Sequence, residues 1–293
     1  MKPDKSLTWH RNSADKTDFA GKRAIVVGGT GGIGQALSRL LASLGANVLV
    51  VGQTFRDAGT PGIEFVQADL SLLREAYRVA ALLPAETADL VIFTAGIFAA
   101  PRRQETGEGI ERDLAVSYLN RLVILSAIAP RLGKLRADSQ GKPRVFNVAY
   151  PGSGQIGNPA DLNSALSYSA MSAHMNTVAG NEILVLDGAR CYPNIGVFGL
   201  NPGLIKTGIR DNFFGKGSLK SRLMEALIGQ LTPTADQYAR RVAPLLVSPD
   251  IETHSGALFN RKGDPILPSP GMTDQHIERF RTAAEALVAR AVV

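Results

Sequence analysis

Short runs of consecutive apolar residues alternate along the chain with longer stretches in which apolar residues return every three or four positions. The runs predict strands over Ala24–Val27, Asn47–Val51, Ile63–Val66, Leu90–Phe93, Val145–Val148, Gly196–Leu200 and Ala257–Phe259. Most are apolar throughout rather than alternating, as expected of strands covered on both faces. The helical pattern predicts Ile33–Leu44, Leu72–Leu83, Gly109–Leu132, Ala165–Leu186 and Ala235–Leu246. Strand–helix alternation predicts an α/β fold: one doubly wound domain with a seven-stranded parallel sheet and helices on both faces. No repeat or linker divides the chain. Residues 1–18 read as a polar tail, 19–260 as the domain, and 261–293 as a C-terminal extension ending in a helix.

Composition narrows the picture. Of 293 residues, 45% are hydrophobic and 20% charged, a soluble globular balance with enough chain for a sizeable core. The single cysteine, Cys191, rules out a disulfide within the chain and fits a reducing compartment, so a cytoplasmic location is expected. The start, MKPDKSLTWHRNSADKTDF, lacks the apolar core of a signal peptide. The longest apolar runs, such as VIFTAGIFAAP, are too short to span a bilayer. A net charge of +6 comes from 32 basic and 26 acidic residues spread along the chain. No dense basic patch with interleaved aromatics stands out. The expected partner is a small molecule, neither nucleic acid nor membrane, and no metal is expected.

The clearest chemistry lies in RAIVVGGTGGIGQAL, between the first strand and the first helix. Gly28, Gly32 and Gly34 occur where a tight turn and a close backbone approach are needed, with Thr30, Gly31 and Ile33 between them. A helix N-terminus behind such a turn binds a pyrophosphate. The second strand ends in Gly52, Gln53 and Thr54, without the carboxylate that holds the ribose hydroxyls of NAD and repels a 2′-phosphate. Arg56 is near enough in sequence to pair with that phosphate. NADP(H) is therefore favoured over NAD(H). Asp57 is acidic, but lies several residues beyond the usual place.

The Gly-x-x-x-Gly-x-Gly spacing resembles that of the short-chain dehydrogenase/reductase family. Other motifs follow in the same order. Ala68-Asp69-Leu70 resembles the family's acidic residue beside the adenine ring. Phe93-Thr94-Ala95-Gly96 resembles its Asn-Asn-Ala-Gly turn with both asparagines replaced. Asn201-Pro202-Gly203, followed by Ile205 and Thr207, resembles its Pro-Gly segment beside the nicotinamide. The resemblance spans residues 19–260 and implies a Rossmann-type fold and a nicotinamide-dependent oxidoreductase. It also implies cofactor contacts at Asp69, Leu70, Ala95, Gly96, Pro202, Gly203, Ile205 and Thr207, and pairing of the two long central helices into a homodimer or homotetramer.

The family's usual catalytic set is Asn, Ser, Tyr and Lys. The tyrosine, whose free pKa is about 10, passes a proton to or from the substrate oxygen, and the lysine charge favours its ionised form. Here Ser117 stands at the asparagine place, with Asn120 where glycine is common. Ala149 and Tyr150 replace a serine pair, with Ser153 a few residues late. In YSAMS, Tyr168 is retained and Ser172 replaces the lysine; residues four apart share a helix face, so the pair is expected to face the site without the charge. Tyr168, Tyr150, Ser117 and Ser172 are thus the catalytic candidates. His174 falls six residues past Tyr168, on a different face, and reads as structural. Lys206 reads as a solvated loop lysine. Residues 208–232 read as a substrate lid, with Phe213 and Phe214 either facing an apolar substrate or packing the lid onto the core, and Gly215 and Gly217 as hinges. The expected function is NADPH-dependent reduction of a carbonyl, imine or activated alkene in a medium-sized apolar substrate. The alternatives are a non-redox isomerase or cyclase on this scaffold, and a non-catalytic NADP-binding regulator.

Overall fold

The computed structural model describes residues 1–136, 141–203, 205 and 233–291. Lys206, Thr207 and the expected lid over 208–232 lie outside the described residues.

The chain forms β1 (Arg23–Val27), α1 (Gly32–Ser43), β2 (Asn47–Gly52), β3 (Ile63–Gln67), α2 (Leu73–Leu82) and β4 (Leu90–Phe93). A helix with a π-turn at its centre follows: α3 (Arg112–Leu114), the π-turn (Ala115–Leu119) and α4 (Asn120–Ile128). Then come β5 (Arg144–Val148), α5 (Ala170–Cys191), β6 (Gly196–Leu200), α6 (Ala235–Leu246), β7 (Leu258–Phe259), β8 (Pro265–Ile266) and α7 (Asp274–Ala291). The sheet order is β3-β2-β1-β4-β5-β6-β7-β8. Strands β1 to β7 are parallel, as the pattern predicts, and β8 adds an antiparallel edge on β7. That eighth strand is two residues long and begins with proline, so it leaves no periodic signal.

Alternate strand residues enter two cores. Ile25, Val27, Val91 and Phe93 pack toward α2, α4, α5 and α7. Ala24, Val26, Val48, Val50 and Ile92 pack toward α1 and α6. Burial on both faces explains the unbroken apolar runs. The N-terminal stretch lies along the β8 edge. Pro3 bridges Ile266, the Leu267 amide donates to the Lys2 carbonyl at 2.9 Å, and Trp9 Nε1 donates to the Gly263 carbonyl at 2.7 Å.

One helix starts later than expected. Asp161 accepts from the amides of Ala165, Leu166 and Ser167, which holds this stretch as a turn. Ser169 then caps α5 by accepting from the Ser172 amide at 3.1 Å. Tyr168 therefore precedes the helix, and the expected shared face of Tyr168 and Ser172 does not exist.

The C-terminal extension is tied to the domain through a wholly buried carboxylate. Glu182 on α5 accepts from the Gly152 amide (2.9 Å), the Ser269 amide (2.5 Å) and Ser269 Oγ (2.8 Å). Glu182→Ala leaves these donors unpaired and is expected to lower the unfolding free energy by about 3 kcal/mol. Urea denaturation measures this; a change below about 0.5 kcal/mol, the range of neutral surface changes, would show that the bracket contributes nothing.

Candidate functional site

Strand β1 has β2 on one side and β4 on the other, so the chain's winding reverses direction at β1. In open α/β sheets the ligand crevice lies at the carboxyl ends of the strands at such a point. Val27, the last residue of β1, is in register with Val51 and Phe93. The next residue, Gly28, has φ +94°, and a Cβ there would lie 2.2 Å from the Ala95 amide nitrogen. A Cβ on Gly34 would lie 2.4 Å from both the Gly28 carbonyl oxygen and Thr94 Oγ1. The loop and the start of α1 can take this course only with glycine at these two places. Gly31 stands at the N-cap of α1 in extended backbone, and no side chain caps the helix. The first-turn amides are thus left to an external acceptor, and no acidic residue occupies that turn to compete. The cradle of Gly28, Thr30, Gly31, Gly32, Ile33 and Gly34 fits a pyrophosphate.

Beside it, Arg56 is exposed, and its Nη1 donates to the Thr30 carbonyl at 2.6 Å. That contact holds a cation over the glycine loop. Asp57 turns away. It is buried and accepts from Arg39 Nε at 2.6 Å and from Gln35 Nε2 at 3.1 Å, both on α1. Gln53 Nε2 donates to Asp69 Oδ1 at 3.0 Å. Partial burial works to raise the Asp69 carboxyl, but hydrogen bonds from Ser71 and Gln53 outweigh it and hold the group below its usual range. Leu70 is buried behind it.

From this crevice a cavity of about 330 Å³ opens past Ile33, Thr94 and Gly96 on one side and Pro202 and Gly203 on the other. Apolar groups dominate its wall, among them Ile97, Phe98, Val148, Met171, Met175 and Val178. Two helices supply its polar residues at helical spacing. The π-turn helix brings Ser117 and Arg121, four apart, while Asp113, one turn before Ser117, is buried and does not line the wall; α5 brings His174, Thr177 and Asn181. A π-turn at this place is the kind of local irregularity that recurs at functional sites.

Arg121 is 3% exposed. Its Nη1 donates to Asn147 Oδ1 (2.7 Å), the Val148 carbonyl (2.8 Å) and Asn181 Oδ1 (3.0 Å), and its Nη2 to the Ala95 carbonyl (2.5 Å). Its Nε has no partner among the described residues. Burial pulls the guanidinium down to about 9 while the Asp113 charge opposes the fall, so it stays positive at neutral pH. Asp113 is wholly buried and accepts from Ser117 Oγ at 2.5 Å. Its other oxygen lies 2.7 Å from His174 Nδ1. The His174 ring stacks on Phe98 with centroids 3.9 Å apart.

No family model matches the chain. Whole relatives do. An uncharacterized oxidoreductase of Saccharomyces cerevisiae is 48% identical over 295 residues, covering 99% of this chain and 96% of the relative. A solved short-chain dehydrogenase/reductase family protein superposes with TM-score 0.60 at 23% identity, covering 83% of this chain and 97% of that one. Pseudomonas aeruginosa RhlG, solved with NADP, gives TM-score 0.62 at 20% identity over 86% of this chain and 98% of its own. The chain belongs to the short-chain dehydrogenase/reductase family.

In this short-chain dehydrogenase/reductase, the expected cofactor residues gather at one sheet edge. Ala95 follows Thr94, whose amide and its own both bond the Val27 carbonyl; Gly96, Pro202 and Gly203 line the crevice. Ile205 is instead buried in the core beneath α1 and α6, and Thr207 lies outside the described residues.

The four catalytic candidates do not come together. Ser117 and Tyr150 line the cavity, whereas Tyr168 and Ser172 do not. The Tyr168 hydroxyl donates to the Ala100 carbonyl. Burial, then the nearby Glu111 and Asp113 carboxylates, push that phenol up, the opposite of activation. Ser172 Oγ is exposed and pairs with Ser169 on the helix cap. The Ser117 hydroxyl is committed to Asp113 and to the Ile97 amide. Sequence reasoning missed Asp113, Arg121 and Asn181, and read His174 as structural. The signal was present: polar residues spaced by four in DLAVSYLNR, on an otherwise apolar helix. His174 lies on the cavity wall, a place that a helix drawn through Tyr168 did not suggest.

Proposed function

We propose that this protein is an NADPH-dependent reductase acting on a carbonyl, imine or activated alkene carried on an apolar body of medium size. The observation that carries the reading is the junction of the glycine cradle with the apolar cavity at Ile33, Thr94, Gly96, Pro202 and Gly203. Gly28 to Gly34 and the open amides of α1 hold the pyrophosphate. Arg56 holds the 2′-phosphate, since the second strand ends without a free carboxylate and Asp57 is bound by Arg39. Gln53 and Asp69 border the adenine end, with Leu70 behind, and Ala95, Gly96, Pro202 and Gly203 border the nicotinamide end. When bound, NADPH supplies two electrons and a hydrogen to the substrate. Met171, Met175, Val178 and Phe98 hold the apolar body and exclude water, which strengthens every charge interaction in the cavity. Arg121 places a buried positive charge at the cavity wall, among Asn147, Asn181 and the Ala95 carbonyl. The wall is apolar and the volume modest, which favours a small number of ring-sized groups over a charged metabolite.

The test is calorimetric titration with NADPH and NADH. NADPH is expected to bind at least about tenfold more tightly than NADH. Arg56→Ala is expected to weaken NADPH about tenfold and leave NADH unchanged, because it removes a charge-assisted contact to the 2′-phosphate alone. Equal binding of the two nucleotides would remove the phosphate reading, and no binding of either would remove the reductase.

A further inference from the structure

We propose that His174, oriented by Asp113, is the residue that gives the substrate oxygen its proton, taking the place of the family's tyrosine. This rests on the reductase reading and commits it to a carbonyl substrate. The geometry is that of a held imidazole. Asp113, on α3, is wholly buried and is fixed from a second side by Ser117, which the Ile97 amide fixes in turn at 3.0 Å. A carboxylate only accepts, so His174 Nδ1 carries a hydrogen and donates it to Asp113. Phe98 covers one face of the ring. The remaining nitrogen, Nε2, makes no hydrogen bond among the described residues, and the ring lines the cavity. Carboxylate-oriented imidazole is an arrangement suited to proton transfer.

The rival hydroxyls are placed less well. Tyr168 is outside the cavity and bonded to Ala100. Tyr150 lines it but is 39% exposed. The charged groups around the pair are Glu111 and Asp113 on the α3 turn, Arg121 on α4 and Arg103 in the loop after β4.

The step balances as follows. The carbonyl carbon takes a hydrogen and two electrons from the reduced nicotinamide while the C=O π pair moves onto oxygen. That oxygen takes the Nε2 proton of the imidazolium. An alcohol, the oxidised nicotinamide and a neutral imidazole would remain, the last still bonded through Nδ1–H to Asp113, and a proton taken up from solvent restores the imidazolium.

The experiment uses the full chain labelled with ¹⁵N-histidine, as wild type, His174→Gln, Asp113→Asn and Tyr150→Phe. NADPH affinity is measured first by fluorescence. His174 is assigned by the signal missing from His174→Gln and is titrated with pH, with and without NADP⁺. Turnover is followed with 9,10-phenanthrenequinone as the probe carbonyl. NADP⁺ is expected to shift the His174 signal. Asp113→Asn is expected to keep NADPH affinity and to cut kcat about tenfold, because the ring loses the carboxylate that orients it. His174→Gln is expected to keep NADPH affinity, to cut kcat about 100-fold and to remove one limb of the kcat pH profile. Should Asp113→Asn not fold, the wild-type titration and the His174→Gln profile decide.

Three results overturn the proposal: a His174 signal indifferent to NADP⁺; a pH limb that survives His174→Gln but is lost in Tyr150→Phe; or a wild type that binds NADPH and leaves the quinone unreduced. Absence of NADPH binding removes the cofactor reading itself, and is distinguished by the first measurement.

Discussion

Replacing Arg121 with leucine is expected to lower the unfolding free energy by about 4 kcal/mol. Removing one partner of a buried charged network costs more than the network contributes, because the groups left behind are buried without partners. Here those groups are the Ala95 and Val148 carbonyls and the side-chain oxygens of Asn147 and Asn181. Asp113 also loses the cation that balances it. Neither Asn147 nor Asn181 is free to turn elsewhere: Asn147 Nδ2 bonds the Asn181 carbonyl at 2.9 Å, and Asn181 Nδ2 bonds the Ser117 carbonyl at 2.7 Å. Arg121→Lys restores the charge but not the fork, and is expected to recover less than half of the loss. Urea denaturation with an unchanged m-value is the measurement. A loss under about 1 kcal/mol would mean that water replaces the guanidinium and that the network does not hold the helices.

Replacing Gly34 with valine is expected to abolish nucleotide binding, with affinity falling more than about 100-fold. The added Cβ would meet the Gly28 carbonyl oxygen and Thr94 Oγ1 at 2.4 Å. Thr94 Oγ1 is itself held by the Val27 carbonyl at 3.0 Å. Relief requires the glycine loop to move away from β4, which misplaces the α1 amides. The same crowding is expected to cost about 2 kcal/mol of stability, so circular dichroism must show a folded variant before binding is read. Nucleotide affinity within about threefold of wild type in that folded variant would show that the cradle is not the nucleotide site.

The two replacements differ in how visible they were beforehand. The glycine loop declares itself locally, since turn, close approach and helix start are all set within a few residues of one another. Arg121 reads in sequence as a charge within an apolar helix, with no sign of its partners. Those partners come from the turn after β4, from β5 and from α5, up to 60 residues away along the chain. Tyr168 shows the converse failure. Its motif spacing suggested one helix face with Ser172, but Asp161 and Ser169 hold that stretch outside α5. A shift of helix start by a few residues turns a different face inward, which moved His174 into the cavity and Ser172 out of it.

The sequence by itself determined the layering of this protein, the parallel run of its first seven strands and the glycine turn between β1 and α1. Each of these follows from periodicity or from backbone needs that act over a few neighbouring residues. Only the tertiary structure decided which polar groups meet at the cavity: Ser117 and Arg121 from one helix, and His174 and Asn181 from another, with the buried Asp113 bonded to Ser117 and His174. Packing of two helices across the sheet edge fixes those meetings, and the rotation of each helix depends on caps and turns whose partners are remote in the chain.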